Sequence, residues 1–172
     1  VRRAADADSV RRLLTELGRA TRVPTTLYLV GGGTAVLEGW RASTIDVDIR
    51  LEPESDDILR ALPDLKNRLA VNVELASPLD FLPELPGWRD RSPFVSQEGA
   101  LTIRHFDLYS QALSKLERAF DQDLRDVAAM VERQLVEPAE LSRLFDAVEP
   151  LLFRFPAVDR AGLRRRVDDL AT

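Results

Sequence analysis

The sequence predicts an α+β fold: a small mixed β-sheet flanked by helices over residues 1–106, then a C-terminal helical bundle over 107–172. Three observations predict it. Ile45–Leu51 and Val71–Leu75 alternate apolar and polar residues with the period of a strand. A short apolar run, Leu27–Val30, leads directly into Gly31-Gly32-Gly33. From Asp107 onward the apolar residues recur only at helical spacing, so strands and helices are segregated along the chain.

The elements follow in order. Val10, Leu13, Leu14 and Leu17 predict a helix over 8–21 with Asp8 as its N-cap, and Pro24 lies beyond its end. Leu27–Val30 is a strand, the glycines a turn, and Thr34–Trp40 the start of a helix. In Ile45–Leu51, Ile45, Val47, Ile49 and Leu51 face one way while Asp46, Asp48 and Arg50 face the other. Residues 54–69 are helical with an interruption near Pro63. Val71, Val73 and Leu75 share one face of the next strand, opposite Asn72 and Glu74. Four prolines between 77 and 93 predict a surface loop or a lid. Phe94–Ser96 and Ala100–Phe106 form a hairpin around Gln97-Glu98-Gly99.

Asp107–Phe120 is the first C-terminal helix. Asp123–Leu135 is the second, with Leu124, Val127, Ala128, Val131 and Leu135 in one stripe. Pro138 opens a third that carries Leu141, Leu144, Phe145 and Val148. A fourth starts near Asp159 and carries Leu163, Val167 and Leu170.

Bulk properties narrow the classes of function. A chain of 172 residues suits one domain, here a core with an appended subdomain, and 45% apolar content is enough to pack it. The absence of cysteine excludes disulfides and zinc–thiolate sites and fits a cytoplasmic setting. VRRAADADSV lacks the apolar run of a signal peptide, and no stretch has membrane-spanning length, so no membrane partner is expected. A net charge of −5 argues against nucleic-acid binding by bulk attraction. Lys66 and Lys115 are the only lysines, hence the only amines for chemistry.

The chemistry concentrates between residues 30 and 50. On a strand, the Asp46 and Asp48 side chains stand roughly 6–7 Å apart on one face. Aspartate is disfavoured in strands. Two of them there mark either a solvated face or a site for a hard cation such as Mg²⁺, which takes oxygen ligands and is often shared with substrate phosphates. A strand, a glycine turn and a helix start present backbone N–H groups to an anion; the alternative is a tight turn without a ligand. The segment contains neither a Walker loop nor a GxGxxG fingerprint. Glu74, on the polar face of its strand, is either a third acid or a surface carboxylate. His105, the only histidine, is read as structural.

GGGTAVLEGWRASTIDVDI resembles the signature of the polymerase-β-type nucleotidyltransferases: strand, Gly-Gly-x-[Ser/Thr] turn, helix, Asp-x-Asp. More narrowly it resembles the AbiEii-like and MenT-type nucleotidyltransferase toxins of bacterial toxin–antitoxin systems. Lys115-Leu-Glu-Arg118 and Asp123-Leu-Arg-Asp126 extend the likeness, which spans about residues 26–130.

The resemblance implies a minimal nucleotidyltransferase core in which Gly32, Gly33 and Thr34 hold an NTP triphosphate. Asp46 and Asp48 would hold Mg²⁺ (or Mn²⁺), and Lys115 would contact the triphosphate. Asp123 would be the later acid, with Asp126 its rival; helical geometry places Asp126 opposite the apolar stripe and Asp123 at its edge. Thr44 stands where a partner antitoxin phosphorylates such toxins, or is a plain loop threonine. This chain has Thr34 where many relatives carry serine. The implied reaction is transfer of a nucleoside monophosphate from an NTP, with a pyrimidine NTP among the candidates, to the 3′ end of tRNA. Transfer of AMP or UMP to a protein hydroxyl, or a catalytically silent nucleotide-binding partner, are the alternatives. Arg41, Arg50 and Arg164-Arg165-Arg166 either contact RNA phosphates or form solvated faces.

Overall fold

In the computed structural model, which describes residues 3–172, the chain forms two compact units. The first comprises Val1–Ser77 with Ser92–Phe106, and the second Pro78–Arg91 with Asp107–Thr172.

The first unit is built on one mixed sheet. Helix α1 (Ala7–Ala20) is followed by strand β1 (Thr25–Val30), helix α2 (Gly32–Glu38), strand β2 (Asp46–Glu52), helix α3 (Asp56–Leu69) and strand β3 (Asn72–Leu75). Strands β4 (Phe94–Glu98) and β5 (Leu101–His105) complete the order β3-β2-β1-β5-β4. β1 runs antiparallel to β2 and parallel to β5, while β3 is parallel to β2. Leu27, Leu29, Val47, Ile49, Leu101 and Ile103 face one side, where Val10, Leu13 and Leu17 of α1 and Ile58 and Leu65 of α3 close the core. Burying these side chains contributes about 1.5–3 kcal/mol each, so this face fixes the register.

Local departures from the sequence reading have physical causes. Asp6, not Asp8, caps α1, accepting from Ser9 N at 2.8 Å. β2 begins at Asp46, so Ile45 falls outside the alternation and is 73% exposed. At the end of edge strand β3, Leu75 is exposed rather than facing the core with Val71 and Val73. α3 runs through Pro63 without a break, because the proline sits on the exposed side while Ile58, Leu62 and Leu65 hold the other against the core.

In the second unit, Pro78–Asp80 forms a 3₁₀ turn and Trp88–Arg91 a short helix, α4. Leu82, Leu85 and Trp88 are buried, so the proline-rich segment is not the surface loop its composition suggests. Arg91 clamps it, its Nε and Nη2 lying 3.1 and 2.7 Å from the two oxygens of Asp107. Asp107 is also the N-cap of α5 (Leu108–Arg118). Helices α6 (Asp121–Glu132), α7 (Pro138–Val148) and α8 (Arg160–Ala171) follow, with a 3₁₀ segment at Glu149–Arg154. Pro138 opens α7 as expected. Asp159 caps α8 through Gly162 N at 3.0 Å. Of the predicted stripe α6 buries Val127, and with it Asp123, Asp126 and Met130, while Leu124 is 42% exposed. Among the described residues no helix is long and apolar enough to cross a membrane.

Candidate active site

Asp46 and Asp48 lie on the β2 face opposite the apolar core, with Arg50 and Glu52 beyond them. Strand alternation puts the two carboxylates side by side, as expected. The pairing of β2 with β1 sets Asp48 opposite Val30, the residue before the glycine turn. Gly31 has φ +60°, and a Cβ there would stand 3.3 Å from Asp48 Oδ2. The turn therefore passes directly beside Asp48, in a conformation that favours glycine.

Helix α2 starts at Gly32, two residues earlier than expected, with Gly31 as its N-cap. Its first backbone bond runs from Ala35 N to Gly31 O at 3.0 Å, so the N–H groups of Gly32, Gly33 and Thr34 precede the helical ladder. Gly32 is dictated by packing: a Cβ would fall 1.9 Å from Thr44 Oγ1. The Thr34 side chain is wholly buried, its Oγ1 3.2 Å from Leu29 O and 3.0 Å from His105 Nδ1. What this residue presents toward the turn is its backbone.

Thr44 is buried as well. Its hydroxyl donates to Asp46 O at 2.9 Å, and its backbone exchanges two hydrogen bonds with Ala5, at 2.7 and 2.9 Å. Thr44, two residues before the first aspartate, is thus held through both its side chain and its backbone.

The sequence reading missed Asn72. β3 pairs with β2 so that Asp46 faces Asn72 and Asp48 faces Glu74. Asn72 Nδ2 donates to Asp46 Oδ1, and also to Glu74 Oε1 at 3.3 Å. Only its place beside Glu74 on the polar face of β3 hinted at this role. Arg50 reaches Glu52 at 3.3 Å, within the same face.

Among the described residues no three acidic or imidazole side chains gather into a metal-binding cluster. The donor set on β2 is the pair Asp46 and Asp48, while Glu74 is exposed. Two carboxylates fit Mg²⁺, which is held by one or two protein carboxylates while water and substrate phosphates fill its remaining positions.

The other predicted site residues belong to the second unit. Lys115 is buried, its Nζ 2.7 Å from Asp126 Oδ2 and 3.8 Å from Asp123 Oδ1. Asp126 also accepts from Gln122 Nε2 at 2.9 Å. Asp123 takes Arg118 Nε at 2.8 Å and Phe120 N at 3.2 Å. Burial pushes the Asp123 carboxyl up, but hydrogen bonds and charge from Arg118, together with Lys115, outweigh it and hold the group below the usual carboxylate range. Asp126, expected on the outer face, is wholly buried. Residues three apart share a helix face, so both acids turn to Lys115 and the facial argument does not separate them.

The arginine run at 164–166 is largely engaged inside the unit. Arg164 pairs with Glu149, with Asp146 at 2.7 Å and with Asp168 at 3.2 Å. Those carboxylates hold its guanidinium above its ordinary range, Glu149 most strongly. Arg166 donates to the carbonyls of Leu116 and Glu117.

The site thus joins a glycine turn to a carboxylate pair on a mixed sheet. No curated protein and no solved structure was found to match this chain. A family model described as "nucleotidyltransferase of unknown function (DUF6036)" matches residues 8–155, and the chain belongs to that family.

Proposed function

We propose that this nucleotidyltransferase moves a nucleoside monophosphate from an NTP to an acceptor hydroxyl and releases pyrophosphate. One observation carries the reading: the glycine turn lies against the metal-type carboxylate pair, with Gly31 beside Asp48. The backbone N–H groups of Gly32, Gly33 and Thr34 are suited to phosphate oxygens, and Asp46 and Asp48 to Mg²⁺ (or Mn²⁺). When bound, such an ion neutralises phosphate charge and polarises the α-phosphate. Asn72 orients Asp46 for that task. Lys115 is the cation proposed for the triphosphate, and Asp123 or Asp126 the acid that orients it.

The acceptor oxygen bonds to the α-phosphorus as the bond to the pyrophosphate oxygen breaks. The hydroxyl proton passes to solvent, and pyrophosphate carries away the displaced electron pair. Positioning and electrostatics supply most of the acceleration in such transfers.

For the acceptor we propose the 3′ end of tRNA, in the cytoplasm, with the chain serving as the toxin of a toxin–antitoxin pair. Its cognate antitoxin would act at Thr44. A protein hydroxyl is the second reading. It is favoured by the net charge of −5 and by the commitment of Arg164 and Arg166 to internal partners.

The test incubates the protein with each α-labelled NTP, Mg²⁺ and total tRNA. Label in RNA is expected. Label in protein supports the second reading, and NTP binding with no transfer under Mg²⁺ or Mn²⁺ identifies a silent nucleotide-binding protein. Asp46→Ala is expected to abolish transfer while the protein stays folded, because it removes one of two adjacent like charges. Full activity in that variant overturns the site assignment.

A further inference from the structure

His105 closes β5 on the core side of the sheet, and the transfer described above makes no use of it. Both of its ring nitrogens meet residues of α2. Nδ1 lies 3.0 Å from Thr34 Oγ1, and Nε2 lies 3.1 Å from Glu38 Oε1. Thr34 and Glu38 are four residues apart, so one imidazole spans a single turn of the helix.

Proton bookkeeping assigns the roles. Burial pushes His105 down to about 4, so at neutral pH the ring carries one N–H. The Glu38 carboxylate can only accept, which puts that N–H on Nε2. Nδ1 is then a lone pair, and the Thr34 hydroxyl is the donor that faces it. The same hydroxyl has a second acceptor in Leu29 O at 3.2 Å, but it has a single proton to give. The charged groups around the ring are Glu38 of α2, Glu98 of β4 and Arg11 of α1, which share a cavity of about 460 Å³ with it.

We propose that His105, as the Nε2–H tautomer, is a positioning residue for the nucleotide turn. It takes the Thr34 hydroxyl and gives its own N–H to Glu38. In doing so it pins α2 to the end of β5 and fixes the backbone of Gly31–Thr34 as it passes Asp48. The inference rests on the reading of that turn as the phosphate-holding element. Acid reverses the arrangement: a protonated ring donates from Nδ1, and the Thr34 hydroxyl turns to Leu29 O.

Two variants and one spectrum test this. His105→Asn keeps an acceptor near the Nδ1 position and gives up Glu38. His105→Gln reaches toward Glu38 and gives up the acceptor for Thr34. Asn, which keeps the Thr34 contact and loses only Glu38, is expected to raise the Kd and KM for NTP about twofold. Gln is expected to raise both about tenfold, with kcat nearly unchanged. A merely structural histidine would lower the melting temperature of both variants and separate their nucleotide affinities in neither. In long-range ¹H–¹⁵N spectra of the wild type, the imidazole is expected as the Nε2–H tautomer. An Nδ1–H tautomer, or equal nucleotide affinities for the two variants, overturns the proposal. A wild type that binds NTP but transfers nothing overturns the transfer reading alone, and the Kd values still decide this one. A wild type that binds no NTP overturns both.

Discussion

Asn72 donates through Nδ2 to Oδ1 of Asp46 across the parallel pairing of β3 with β2. With carboxylates on either side, the nitrogen end of the amide must face them. Asn72→Ala removes a donor to a charged acceptor, a bond worth about 1.5–3 kcal/mol. Transfer is expected to slow about tenfold or more, at unchanged circular dichroism, and the Mg²⁺ concentration for half-maximal rate to rise. An unchanged metal requirement would reduce Asn72 to an edge-strand residue.

Gly32 and Thr44 occupy one another's space. Gly32→Ala forces a Cβ to within 1.9 Å of Thr44 Oγ1 and 2.6 Å of Thr44 Cβ. The expected cost is about 1–3 kcal/mol in urea denaturation, as for other overpacked sites. Thr44→Gly in the same chain removes every atom that clashes. The double variant should therefore be more stable than the sum of the single effects implies. Strict additivity would refute the contact.

Lys115 is the counter-charge of two buried carboxylates. Lys115→Ala strands Asp126 without its ammonium partner at 2.7 Å. Breaking such a pair costs about 3–5 kcal/mol, so the second unit should unfold at lower denaturant. Lys115→Met with Asp126→Leu should recover most of that loss. If the double variant is folded and binds NTP like the wild type, the lysine serves its own unit and not the triphosphate.

Stability should fall on the acid side, and the sign follows from His105. Its folded pKa of about 4 lies below the usual 6.5, so the unfolded chain takes up the proton first. The stabilisation is complete above pH 6.5 and is lost as pH falls through about 4. A difference of this size is worth on the order of 3 kcal/mol. Asp123, also depressed, adds a further loss as pH falls below its ordinary 3.8. Urea titrations from pH 7 to 4 check this, and His105→Leu should flatten the curve over that interval.

Strand β2 was legible because its two faces differ so sharply: Val47 and Ile49 are buried, while Asp46 and Asp48 sit on the opposite face. Asn72 was not legible, because the register that sets it beside Asp46 is written in neither strand alone. It emerges only when α3 has returned the chain parallel to β2. The inner face of α6 escaped for a different reason. Apolar periodicity cannot detect a helix that buries Asp123 and Asp126 against Lys115. Prolines at 78, 83 and 86 advertised a loop, yet the leucines and tryptophan between them supplied enough apolar surface to fold it down. Thr34 matched its motif by position, but the turn of its hydroxyl toward His105 depends on a strand that lies about seventy residues downstream.

The buried seat of Thr44 turns chemistry at that hydroxyl into a clock. Any enzyme that modifies it must wait for the Ala5 bridge to part and for the threonine to lift from Gly32. The observed rate is then the intrinsic rate multiplied by the fraction open, which is roughly one molecule in a hundred for an opening cost of about 3 kcal/mol. Ligands that favour the closed turn would slow modification in proportion to their occupancy. If Thr44 is modified as proposed, a molecule holding such a ligand would be shielded in proportion to the time it spends closed.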